Sequence, residues 1–105
     1  MIMKGLMTRD QVIETEYGSY RLHYGMHEIN EEGWKYYGVS IFQYYNTGEK
    51  KGIFDQAVVK GFSEDRMETL AFFETIFLEK VFPVHLLSIA DDWQYDIQGD
   101  SWRRL

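Results

Sequence analysis

The sequence predicts an α+β domain, a four-stranded antiparallel sheet (a ββββ meander) followed by two C-terminal helices packed on one of its faces. Three observations lead there. Up to Phe62 the apolar residues recur with period two and are rich in Tyr, Val, Ile and Phe, side chains that suit a pleated surface. From Ser63 onward the spacing changes to three and four residues, the signature of helix. The connections between the early segments are short, so successive strands are antiparallel neighbours.

A chain of 105 residues is one domain, residues 1–105, able to bury roughly two thirds of its unfolded surface. With 45% hydrophobic and 17% aromatic residues and a single proline, the composition is that of a folded chain. Residues 1–10 and 98–105 are expected to be flexible ends.

The first strand is expected near residues 11–16, turning at Tyr17 and Gly18. The second covers residues 19–29, with Tyr20, Leu22, Tyr24 and Met26 on the core face and Arg21, His23 and His27 on the wet face. A turn at residues 30–33 leads to a third strand over residues 34–45. Tyr37, Val39 and Ile41 occupy one of its faces and Tyr36, Phe42 and Tyr44 the other, so this strand is apolar on both sides and central. A hairpin loop at residues 46–49, with Gly48 free to take positive φ, precedes a fourth strand over residues 50–62.

Ser63 is the expected N-cap of the first helix, with Glu64 and Asp65 complementing its positive end. Met67, Leu70, Ala71, Phe77, Leu78 and Val81 form the stripe expected to cover the sheet, and Phe72 and Ile76 fall outside it. A helix apolar on nearly all sides has to meet a second surface. Pro83 ends this helix and starts the next, in which Leu86, Ile89, Ala90 and Trp93 line one face, Asp91 and Asp92 sit off it, and Gly99 is the stop.

The chain has no cysteine, which excludes disulfides, thiolate metal sites and a thiol nucleophile, and the expected location is the cytoplasm. No run approaches the roughly 20 apolar residues of a membrane span. The net charge of −6 is uneven: residues 63–100 hold nine acids and two bases. A negative surface disfavours nucleic acid and permits a basic protein partner.

Candidate chemistry is sparse. His23 and His27 stand four residues apart on one strand, about 13 Å, too far to share a metal, and are expected to be solvated. His85 and Asp92 are two helical turns apart, roughly 10 Å, beyond a hydrogen bond. Glu74 falls inside the expected stripe, so it either finds a buried partner, becoming a candidate acid or base, or reaches solvent at the stripe's edge. Residues 35–42 do not match an RNA-recognition strand, because the glycine is displaced and the charge is wrong. No catalytic, cofactor or metal residues are assigned. The candidate interface is Tyr36, Phe42, Tyr44, Phe72, Ile76 and Trp102, the last lying beside Arg103 and Arg104 in the tail.

Three stretches, Tyr37-Gly38-Val39-Ser40-Ile41, Ser63-Glu64-Asp65, and Val81-Phe82-Pro83-Val84-His85-Leu86 followed by Asp91-Asp92-Trp93, carry a resemblance. Together they resemble an uncharacterised family of small bacterial, Firmicutes-type proteins, a domain of unknown function built as four strands then two helices. The match covers about residues 12–93. The resemblance implies the fold and no activity. The expected function is therefore a non-enzymatic cytoplasmic interaction or regulatory module without cofactor, acting through an unknown protein partner or a second copy of itself. The alternative is a small acidic phage-type, anti-CRISPR-like inhibitor that occupies a basic nucleic-acid channel of a target enzyme.

Overall fold

The computed structural model describes residues 2–46 and 52–98, the side chains of 95–98 excepted. Four strands, β1 (Ile2–Thr15), β2 (Gly18–Glu31), β3 (Trp34–Tyr45) and β4 (Ile53–Ser63), precede two helices, α1 (Arg66–Leu78) and α2 (Pro83–Gln98). The sheet order is β1-β2-β3-β4, every neighbouring pair antiparallel, so the meander follows the chain.

The first strand is far longer than its sequence suggests, and residues 2–10 belong to the sheet. They pair with β2 from Ile2 opposite Asn30 onward. The cause of the discrepancy is local: Leu6 is an extra residue in a bulge between Gly5 and Met7, which breaks the alternation, and most of this edge strand is exposed. Tight turns set the register. Glu32 and Gly33 take positive φ of 51° and 86° between the paired residues Glu31 and Trp34, the geometry of a two-residue hairpin loop.

Both helices cover the same face. Leu22, Tyr24, Met26, Val39 and Ile41 meet Phe72, Phe73, Ile76, Leu86 and Ala90 in one core. At its centre the Tyr24 hydroxyl donates to the Val81 carbonyl at 3.0 Å and accepts from Gln11 Nε2 at 3.1 Å. Phe62 stacks on Phe72 with ring centroids 4.3 Å apart, and Gln94 donates to the Phe62 carbonyl.

In α1 the phase expected from the sequence is rotated: Leu70, Phe77 and Val81 of the expected stripe do pack on the core, but they are not its centre. Thr69, Phe72, Phe73 and Ile76 are the buried residues, whereas Met67 and Leu78 are about two-thirds exposed (68% and 71%). Phe72 and Ile76 are therefore core residues and not an interface. The N-cap also moves: the Asp65 carboxylate accepts from the Met67 and Glu68 amides, and Ser63, still paired with Tyr37 in the sheet, accepts from the Asp65 amide instead. Lys80 takes φ 56° after α1, where the Val81 amide reaches the Ile76 carbonyl and the Lys80 amide the Phe77 carbonyl, a Schellman ending. Pro83 opens α2 as expected, with Leu86 and Ala90 buried and Asp91 and Asp92 exposed.

Candidate functional site

Because both helices lie on one face, the other face of the sheet carries no helix or strand among the described residues, although Ile29 and His27 on it are buried. The register places on it Val12 of β1, Arg21, His23, His27 and Ile29 of β2, Tyr36, Ser40, Phe42 and Tyr44 of β3, and Val58 of β4. Its two central rows are mixed, Asp10–His23–Phe42–Gln56 and Thr8–Gly25–Ser40–Val58. Val12 and Val58 are half exposed, and Tyr36, Phe42 and Tyr44 are partly buried between neighbouring rows.

Several of the polar groups on it are tied to one another. Arg21 donates to Asp10 at 2.7 Å and lies over the Tyr44 ring, 4.5 Å from its centroid. His23 bonds the other Asp10 oxygen and leans toward Phe42. Partial burial raises the Asp10 pKa, but the hydrogen bonds and charges of His23 and Arg21 outweigh it and hold the carboxyl below its ordinary value. The Tyr36 hydroxyl donates to Glu31, which keeps that phenol protonated to higher pH.

His27, expected in solvent, is only 7% exposed, and its Nε2 has no hydrogen-bond partner among the described residues. The reason lies in β4. Between the pairs Tyr37–Ser63 and Val39–Val59 the fourth strand carries three residues against one, and this bulge crowds over Gly38 beside His27. A Cβ on Gly38 would sit 2.2 Å from the Val59 carbonyl oxygen and 2.5 Å from His27 Nε2, so only glycine fits. Burial, followed by the nearby Lys60 charge, pushes the His27 pKa below its ordinary value.

Glu74 is not buried. It pairs with Arg9 of β1 at 2.9 Å, at the edge of the helix layer, and its side chain remains one-third exposed (33%). His85 and Asp92 are exposed on α2. Among the described residues no group of three or more His, Cys, Asp or Glu side chains could hold a metal ion, and no helix is long and apolar enough to cross a membrane. Trp102 lies outside the described residues, as do the Gly48 loop and Gly99.

Of the six interface candidates, then, Phe42 and Tyr44 are neighbours on the open face, Tyr36 lies on the same face beyond Gly38 and Ser40, and Phe72 and Ile76 are not on it. Sequence reasoning missed Val12 and Val58. Their alternation with Ile13, Ala57 and Val59 of the helix-covered side was the available signal.

Residues 3–96 match the sequence model of a family of unknown function, DUF6514. The chain belongs to that family. The match takes in nearly all of β1, of which the resemblance read from the sequence had covered only the part from about residue 12, and reaches residue 96 in the last turn of α2. No curated protein and no solved structure matches the chain. The Tyr37-Gly38 pair of this DUF6514 chain has a structural reason in the crowded bulge.

Proposed function

We propose that this DUF6514 chain is a non-enzymatic protein-interaction module of the cytoplasm that works as a homodimer, two copies packing through the open faces of their sheets. The observation that carries the reading is the four-stranded sheet with both helices on one side and an aromatic and aliphatic patch on the other.

Size and charge favour a second copy as the occupant. Four strands spaced about 4.8 Å apart and about 40 Å of strand length give a footprint of about 750 Å², near the roughly 800 Å² each partner contributes to a standard interface. Three acids on this face (Asp10, Glu14, Glu31) stand against two bases (Arg21, Lys60), leaving it close to neutral on a chain of net charge −6. Near-neutral faces can approach without the like-charge penalty that the helical side would impose.

The acidic half of the chain supports a reading as an inhibitor of a nucleic-acid enzyme less well. Met67, Leu78, Val84 and Leu87 are exposed on the helices and interrupt the acidic surface that mimicry of a phosphate backbone needs.

Sedimentation of paired variants tests the dimer. Val58→Lys places a charge on the open face and should shift the protein to monomer, weakening association by about a hundredfold or more. Leu87→Lys, equally exposed on α2, should leave the mass unchanged. The reverse pattern would move the interface to the helices.

A further inference from the structure

The strands extend beyond the two helices, and near the β1–β2 turn the helix-bearing side opens into a cavity of about 820 Å³. That volume is within the roughly 300–1,000 Å³ of small-molecule sites. Tyr20 and Phe54 line it with ring centroids 5.2 Å apart, and Phe82, from the connection between α1 and α2, adds a further aromatic side chain.

Two side chains that line this cavity are more than nine-tenths buried and have polar ends that the described fold does not use. Gln43 is 4% exposed and Tyr20 8%, and neither the carboxamide nor the phenol makes a hydrogen bond with any described residue. Neither polar end is sealed, as His27 Nε2 and Trp93 Nε1 are, so both reach the cavity and are available to a guest. The charge of the described lining residues has one sign. Glu16 and Asp55 line the cavity, neither forms an ion pair with a described residue, though Asp55 accepts from the Gln56 amide, and no base is among the described lining residues. Glu14 also lines it but accepts from Ser19.

Aromatic faces carry negative quadrupole charge and, with two carboxylates, favour a cation over a neutral or anionic guest. We propose that the cavity binds a small organic cation, a primary ammonium or guanidinium group carried on an aromatic or short aliphatic body. The body packs on Tyr20, Phe54 and Phe82. The cationic head donates to the Gln43 carboxamide oxygen and the Tyr20 hydroxyl, with Glu16 and Asp55 as countercharge. Apart from Glu14, which stands at the sheet edge and counts toward the charge of the dimer face, the site lies on the opposite side of the sheet and does not depend on that face.

Titration of the isotope-labelled full chain with phenethylammonium, followed by NMR at the Gln43 side-chain amide and the backbone amides of Tyr20, Phe54 and Asp55, tests the assignment. Phenethyl alcohol and phenylpropionate are the neutral and anionic matches. The expected result is saturable movement of those resonances with the ammonium, at least about tenfold weaker binding of the alcohol and none of the carboxylate. The double variant Glu16→Gln, Asp55→Asn should weaken the ammonium about tenfold, and Glu64→Gln, an exposed acid elsewhere, should not. Equal responses to all three probes, no movement with phenethylammonium up to about 10 mM, or full binding by the double variant would each overturn the proposal.

Discussion

Gly38 is the residue on which the central strands depend most. Its missing side chain admits the β4 bulge, and the bulge in turn helps to bury His27. Gly38→Ala should cost about 3 kcal/mol or more, because the nearest obstacles are backbone carbonyls and cannot rotate away; urea denaturation checks it. Gly61, whose Cβ would meet only the Tyr36 ring at 3.7 Å, should accept alanine far more easily. His27 gives a pH dependence whose sign is fixed. Its folded pKa lies below the ordinary 6.5, so as pH falls through 6.5 the unfolded chain takes up a proton that the folded chain refuses. Its contribution is intact above that pH and declines below it, levelling off only under the folded pKa. Denaturation midpoints between pH 7.5 and 5 should therefore fall with acidification, and His27→Gln should flatten that slope; an unchanged slope would mean that the imidazole is not the group responsible.

At the scale of elements, α1 shows how much of the molecule its sequence discloses. The existence of the helix is legible from the period change at Ser63, but its phase is not. Leu70, Ala71, Phe72, Phe73, Ile76, Phe77 and Leu78 surround the axis almost completely, so apolar spacing selects no side, and the buried face includes Thr69, a polar residue whose hydroxyl bonds back to the Asp65 carbonyl. The start of the helix has the same ambiguity, since Ser63 and Asp65 both suit a cap and only the pairing of Ser63 with Tyr37 decides between them. Asp65→Ala should accordingly destabilise the protein by about 1 kcal/mol, with Ser63→Ala costing less, as read from thermal melts. The first strand was hidden for a different reason. An edge strand with a bulge at Leu6 has neither strict alternation nor a buried run, and the pairing partner that orders it is more than ten residues away along the chain. By contrast α2 was legible throughout its described face, because Pro83 fixes its start and Leu86, Ile89, Ala90 and Trp93 form a single stripe.

For the whole molecule, two layers leave one face of the sheet uncovered, and the interface expected from the sequence divides accordingly. The aromatic row of β3 was identified because it alternates with a core row, whereas Phe72 and Ile76 were misplaced with the helix phase. In the dimer the Asp10, Arg21 and His23 cluster, which shares its rows with Phe42 and Tyr44, would be enclosed with its internal hydrogen bonds made, next to Val12 and Val58. Isotope-filtered NOE spectroscopy on a mixture of labelled and unlabelled chains reads this directly. The account predicts intermolecular contacts between the side chains of Val12, Phe42, Tyr44 and Val58 of one protomer and the same face of its partner; intermolecular contacts confined to Met67, Leu78, Val84 or Leu87, or none from a protein sedimenting at 12.6 kDa, would contradict it.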